Sequence, residues 1–306
     1  MDQLQSMRVF ARVVEAGTFT RAAESLDLPK GTVTRLVQHL ESRLKVKLLN
    51  RTTRRVTVTP EGALYYQRTS RLLQDLDDIE GSMGNAQAKP SGRLRVDVGS
   101  SVAQHVLIPA LAEFHRRYPD IQLDLGVSDR SVDLIADNVD CVIRGGELLD
   151  QSLVARRIAN VPMVTVAAPE YLQRHGRPQH PQELEGEHYC INYFSTRTGR
   201  PYPHDFARDG DTLEISGRYR VSLNEGNAMT RAARAGLGVT QIPAFIAQPL
   251  IDGGELERVL PDWDNGSIPL YVVYPPNRHL GAKVRAFVEW VVELFANDPR
   301  LNEAAA

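Results

Sequence analysis

Nothing in this 306-residue sequence approaches the ~18 consecutive apolar residues a membrane-spanning helix needs, so no contact with a membrane is expected. Cysteine is nearly absent. Cys141 and Cys190 alone make no disulfide framework, and both read as buried strand residues. The opening MDQLQSMRVF lacks the basic segment and apolar run of a secretory signal, which predicts a cytoplasmic protein. The eight histidines show no metal spacing of the HxxxH kind, and there is no glycine-rich phosphate loop. No nucleophile stands in a pattern with a base. These absences predict no catalytic residue, no metal and no cofactor.

What is present is an uneven charge. The formal net charge is −2, yet residues 1–60 hold 11 Lys/Arg against 5 Asp/Glu and carry +6. The rest of the chain holds 25 basic and 33 acidic residues and carries −8. A small basic head on a larger acidic body is the footprint of a polyanion-binding module joined to something else. With 42% hydrophobic and 24% charged residues, the chain has the composition of a globular protein of two or three domains.

In the head, Leu4, Met7, Ala11 and Val14 recur at helical spacing up to Gly17. Thr18 or Thr20 can cap a second short helix, in which Ala22 and Ala23 allow close approach of a neighbour. A turn from Asp27 to Gly31 then leads into an amphipathic run. Val33, Leu36, Val37, Leu40 and Leu44 form its apolar stripe, and Thr32, Thr34, Arg35 and His39 occupy the other face. This is a helix-turn-helix pattern, in which the second helix lies in the major groove with its N-terminal residues at the base edges. Lys30, Thr32, Thr34, Arg35 and, from the preceding helix, Thr20 are therefore candidate DNA contacts.

Two β-prone runs, 47–49 and 56–58, flank a segment with three arginines and read as the wing of a winged helix. Arg51, Arg54 and Arg55 are placed there to meet phosphates or the minor groove. Thr59-Pro60-Glu61 is a good helix start: a hydroxyl cap, Pro at the first position, and an acid on the helix dipole. From Pro60 to about Ala88, Leu72, Leu76, Ile79 and Met83 continue a stripe begun by Tyr65 and Thr69, a seam of coiled-coil type. One winged helix has little surface to cover so long a seam, so a second copy is the expected partner. Two paired reading heads suit an operator with two half-sites. Lys89-Pro90-Ser91-Gly92 reads as a hinge.

Beyond the hinge, strands alternate with helices, which predicts an α/β body with a mainly parallel sheet. Ligands of such sheets bind beyond the carboxyl ends of strands. Ser100 and Ser101 lie between a strand and a helix, as do Asn224 and Glu225. Ser128 and Arg144 follow two further strands. Small polar residues at helix starts serve as caps as well as ligand contacts, and Arg144 has Asp129 and Asp140 as candidate ion-pair partners.

The motifs Phe19-Thr20-Arg21-Ala22-Ala23, Val33-Thr34-Arg35, Leu40-Glu41, Leu48-Leu49-Asn50-Arg51 and Thr59-Pro60-Glu61-Gly62 match in order and spacing those of LysR-type transcriptional regulators, which the whole chain resembles. At the recognition turn that family usually carries a Ser cap, a polar residue and Pro. Here stand Pro29, Lys30 and Gly31, and a missing capping oxygen costs ~1 kcal/mol. The resemblance implies a winged helix-turn-helix over 1–59, a linker and dimerisation helix over 60–88 and a hinge at 89–92. It implies an effector domain over 93–298 of the two-subdomain, periplasmic-binding-protein-like kind, with a tail at 299–306. Subdomain I would comprise about 93–161 and 268–298, and subdomain II about 162–267, joined by two crossover strands. A small-molecule effector of unknown identity would bind between them, with Asn192 and Tyr193 on the wall opposite Ser100, Ser101, Ser128 and Arg144. The implied protein is a homodimer or homotetramer that binds double-stranded DNA, with RNA polymerase as a candidate partner. The competing readings are an α/β enzyme, or a small-molecule binding protein, carrying an accessory DNA-binding module.

Overall fold

A computed structural model describes residues 2–51, 56–83, 89–130, 134, 137, 139–146, 153–276 and 281–301. The chain forms two compact units, Met1–Ala88 and Lys89–Ala306.

The first unit begins with α1 (Gln3–Ala16), whose N-cap Asp2 accepts from Leu4 N and whose C-cap Gly17 takes the left-handed φ of 68°. In α2 (Phe19–Ser25) Thr18 is the cap, accepting from Arg21 N at 3.2 Å. Helix α3 (Lys30–Leu44) starts behind Pro29, and no side chain caps it. The wing is β1 (Leu49–Arg51) paired antiparallel with β2 (Val56–Val58), and α4 (Pro60–Met83) follows. Val33, Leu36, Val37 and Leu40 pack with Val9, Phe10, Val13, Ala22 and Ala23 into one core.

Three expectations shift here. The buried face of α1 is Ser6, Val9, Phe10, Ala11 and Val13, while Leu4 is exposed, because Phe10 turns inward to meet Tyr65 of α4 edge-on at 5.6 Å. Leu44, the last member of the α3 stripe, is also exposed. The first wing strand starts at Leu49, not at 47. The buried Glu41 carboxylate accepts from Leu48 N at 3.0 Å and Leu49 N at 3.1 Å, so it holds the chain before the ladder begins. Thr59 caps α4 as expected, accepting from Gly62 N at 2.9 Å. Gly62 must lack a Cβ, which would fall onto the Leu48 carbonyl.

In chain order the second unit opens with β3 (Gly92–Val98), so Gly92, read as part of the hinge, is already paired with Ile121. A continuous helical run comprises α5 (Ser100–Val102), a π-helical turn (Ala103–Leu107) and α6 (Ile108–Arg117). Then come β4 (Ile121–Val127), β5 (Cys141–Gly145) and β6 (Val154–Ala167). The expected short helix over 131–138 lies largely outside the described residues. Next are α7 (Pro169–His175), α8 (Glu183–Gly186), β7 (Cys190–Tyr193), β8 (His204–Arg208) and β9 (Asp211–Ile215). The chain closes with β10 (Tyr219–Leu223), α9 (Gly226–Arg234), β11 (Thr240–Pro243), α10 (Ala244–Asp252), β12 (Glu257–Arg258), β13 (Ser267–Tyr274) and α11 (Ala282–Ala296).

The expectation of a mainly parallel sheet is corrected. The main sheet runs β11-β6-β13-β5-β3-β4, with β12 also on β6. Its β3–β4 and β3–β5 pairs are parallel, but β13 is antiparallel to both β5 and β6, and β11 is antiparallel to β6. The cause is β6, far longer than the run from Met163 read from sequence. Its first half pairs with β13 and its second half with β11 and β12, so one strand passes through both halves of the unit. Pro162, in the middle, has no N–H to give the ladder. A separate pair, β7 and β10, is parallel. Burial of Phe114 against Phe287 and Trp290 fastens α6 to α11, a contact worth roughly 3–5 kcal/mol on truncation to Ala.

Candidate DNA-reading surface and effector cleft

With Val33, Leu36, Val37 and Leu40 buried, α3 turns Lys30, Arg35 and His39 outward, while Thr32 and Thr34 are half-buried at its flanks. Thr20 is exposed on α2. Lys30 and Thr20 border one shallow depression together with Ala23, Glu24, Asp27, Leu28 and Pro29. Asp27 takes a left-handed φ of 51° to make the turn between the two helices. Arg51 lies on β1, with its side chain outside the description, and Arg54 and Arg55 lie outside the described residues. On α4, Tyr65 and Thr69 pack inward on their own unit. Further along, Leu72 is 50% exposed and Leu76 half-exposed, so the seam emerges from the unit's own core. The side chains of Ile79 and Met83 lie outside the description.

In the second unit, parallel β3 and β4 run in register with Val98 opposite Val127. The residues just beyond their carboxyl ends therefore meet. Ser100 N donates to Asp129 Oδ1 at 2.7 Å, and the Asp129 carboxylate also accepts from Gly226 N at 2.9 Å, the first residue of α9. Glu225, the N-cap of α9, accepts from Asn227 N at 3.0 Å and Ala228 N at 2.7 Å. The Ser100 hydroxyl is within reach of both acids, Asp129 Oδ1 at 3.0 Å and Glu225 Oε1. A hydroxyl has one proton, so the two carboxylates share a single donor there. Burial pushes the Glu225 pKa up, but the bonds from Ser100, Asn227 and Ala228 outweigh it and hold the carboxyl below its ordinary range. A Cβ on Gly226 would come within 2.5 Å of Ser101 Oγ, and His105 Nε2 reaches Asn227 Oδ1 at 3.3 Å.

The other candidates surround this junction. Burial, with Asp129 next in importance, pushes the Tyr193 phenol up to about 12, so it stays neutral. Arg144 pairs with neither of its expected partners. Its guanidinium reaches Asp97 on the neighbouring β3 and the Arg130 carbonyl at 3.2 Å, because β5 lies beside β3 in the sheet. Asp140 instead accepts from Arg95 N at 2.8 Å. Burial raises the Asp97 carboxyl and Arg144 opposes that rise. Asn192 is buried on β7, paired in register with Ser222 of β10, and neither Asn192 Oδ1 nor Ser222 Oγ has a hydrogen-bond partner among the described residues. Ser128 follows β4, its N–H bonded to the Val98 carbonyl at 3.1 Å, and half-buried Asn224 leads into Glu225. Ser100 and Gly226, with Glu225 sharing the Ser100 hydroxyl, are thus brought around one acid, Asp129, which sequence reasoning had named as an ion-pair partner of Arg144 but not among the candidate contact residues. The signal was available: Asp129 stands two residues beyond β4 as Ser100 stands two beyond β3.

Cys141 and Cys190 are buried, and burial pushes both thiols up, Cys190 to about 12. Among the described residues no group of three His, Cys, Asp or Glu could hold a metal ion, and no helix is long and apolar enough to cross a membrane.

Comparison with known proteins agrees with this division. Residues 4–63 match the family model for the bacterial regulatory helix-turn-helix protein of the lysR family, and residues 87–296 match that for the LysR substrate binding domain. A transcriptional repressor of Pseudomonas aeruginosa is 39% identical over 99% of this chain and 95% of its own. The transcriptional activator AaeR of Escherichia coli is 34% identical over 98% and 96%. Among solved structures, CrgA of Neisseria meningitidis is 34% identical with a TM-score of 0.61, covering 96% of this chain and 99% of that one. The Vibrio cholerae virulence activator AphB is 31% identical with a TM-score of 0.60 over the same shares. The relatives are regulators, which favours that reading over an enzyme or a binding protein with an accessory module. The chain belongs to the LysR family of transcriptional regulators, with an N-terminal helix-turn-helix domain and a C-terminal substrate-binding domain for an effector.

Proposed function

We propose that this regulator reads its operator with the exposed face of α3 and senses a small molecule at the junction of Ser100, Asp129 and Glu225. The observation that carries the first half is the outward face of α3, with Lys30 and Arg35 exposed opposite the buried stripe of Val33, Leu36, Val37 and Leu40. Thr20, Thr32 and Thr34 flank that face, and Arg51, Arg54 and Arg55 of the wing supply phosphate contacts that position the helix. The exposed Leu72 and the half-exposed Leu76 support pairing of two α4 helices through a seam continued by Ile79 and Met83. A dimer, or a tetramer built from two dimers, then spans two half-sites in the cytoplasm. RNA polymerase is the further partner of such a protein, and no catalytic step or cofactor enters the scheme.

For the second half, Ser100, Ser101, Ser128 and Arg144 form one wall and Asn192, Tyr193, Asn224 and Glu225 the other. A ligand changes transcription only through its different affinity for two arrangements of these walls.

The test is protection mapping of the full chain on DNA upstream of its own gene. The expected result is a long protected region with two half-sites, weakened steeply by salt. Arg35→Ala is expected to lose roughly 1–3 kcal/mol per half-site and to relax base preference. Unchanged affinity and preference in that variant would show that α3 is not the reading helix.

A further inference from the structure

Within the second unit, the positions best suited to an incoming anion already hold one. A helix N-terminus presents free N–H groups and the positive end of the helix dipole. Two such ends converge here, one from the continuous run that starts at Ser100 and one from α9. Neither is open. Asp129 takes Ser100 N through Oδ1 at 2.7 Å and Gly226 N through Oδ2 at 2.9 Å, so a single carboxylate spans both ends. Glu225 takes the next two N–H groups of α9. The approach is close enough that position 226 has no room for a Cβ beside Ser101 Oγ.

We infer that Asp129 is a ligand built into the cleft. Its carboxylate occupies the anion position between the two helix ends, ties the walls together, and excludes anionic effectors until it swings out. The inference rests on the reading of this junction as the effector cleft. It makes Asp129 a residue that determines specificity. An effector that carries a carboxylate or another oxyanion must displace the chain's own acid before it can reach Ser100 N and Gly226 N. A neutral effector meets no such competitor, and finds instead the neutral phenol of Tyr193 beside the acid. In a charge-assisted bond to backbone N–H groups, the internal acid has the further advantage of effective concentration over a free anion.

Chemical rescue separates a built-in ligand from an ordinary packing residue. In the full chain, Asp129→Ala removes the anion and leaves two N–H groups and a space of carboxylate size. The expected result is a melting temperature of the second unit lower by several degrees, of which sodium acetate recovers at least half while sodium chloride at the same ionic strength does not. The wild-type chain, its position filled, should not respond to acetate beyond the chloride control. Asp129→Asn keeps the shape but turns an amide N–H toward a backbone N–H, so it should be destabilised and stay unrescued. If Asp129→Ala folds and acetate moves it no more than the wild type, the inference is overturned. If Asp129→Ala does not fold, Asp129→Asn decides: stability equal to the wild type overturns the inference, and a lowered melting point without acetate response supports it. The operator footprint tests the underlying reading separately. Acetate rescue with a footprint unchanged between the wild type and Asp129→Ala keeps the built-in ligand and defeats instead the reading that this junction controls the DNA-binding unit.

Discussion

Both units hold a carboxylate against backbone N–H groups, buried at Glu41 and half-buried at Asp129 and Glu225, but they place it differently relative to the start of a helix. In the first unit Glu41 points away from the start of α3, to Leu48 N and Leu49 N at the root of the wing, and Pro29 offers α3 no capping side chain. Helix α3 therefore begins with no side-chain cap. In the second unit Asp129 and Glu225 sit on the start of α9 itself. One unit leaves the start of its helix without a side-chain cap; the other supplies the anion from its own chain. The same electrostatic element, a helix N-terminus, is open at one site and occupied at the other.

Removing Glu41 should break the comparison most severely. Glu41→Ala leaves two buried N–H groups without an acceptor, which costs roughly 2–5 kcal/mol. In urea unfolding of the full chain the first unit should lose stability and operator binding, while the second unit's transition stays in place. A matched loss in both units would show that they do not unfold separately.

A smaller effect is expected at the other helix end. Glu225→Ala removes the cap of α9 at a cost of about 1 kcal/mol near neutral pH. Because the folded-state pKa of Glu225 is lowered, its contribution is fully present above about 4.5 and fades as the pH falls through the lowered value. Melting points of wild type and variant should therefore converge in acid. A gap that stays constant down to strongly acidic pH would mean that the carboxylate charge is not what stabilises α9.

The smallest change would sharpen the contrast. Pro29→Ser supplies the missing capping oxygen and should stabilise the first unit by about 0.5–1 kcal/mol without moving the second. A fall in stability would show that the fixed backbone of Pro29 is worth more to the turn than a cap.

How much of this was legible in the sequence follows from the range of the interactions. The helix-turn-helix was readable because its signals are local: Thr18 and Thr59 cap helices within three residues, and the stripe Val33, Leu36, Val37 and Leu40 has a single period. The buried face of α1 was not, since the ring of Phe10 is claimed by Tyr65, some 55 residues away. In the second unit the strands were readable but their directions were not, because the antiparallel pairs join β6 to β13 across a hundred residues. The hairpin of β8 and β9, the helices α8 and α10, and the short β12 had no periodic signal strong enough to declare them. The candidate cleft residues were chosen by type and place, as polar groups just beyond strand ends. That Asp129 stands at their centre, and that Arg144 answers Asp97, depends on which strands are neighbours.

The long β6 has a mechanical meaning. A strand whose first half is laced to β13 and whose second half is laced to β11 and β12 works as a torsion bar clamped at both ends. The two ladders abut where Pro162, opposite Ser267, ends the pairing with β13 and Met163, opposite Pro243, begins the pairing with β11, and Pro162 has no N–H to donate there. Beside it Gly266, at a φ of 66°, accepts from Met163 N at 3.0 Å as the returning chain enters β13. The two halves of the unit are thus tied at one level by two neighbouring segments, β6 and the chain that returns through Gly266 into β13, rather than by a single free connection.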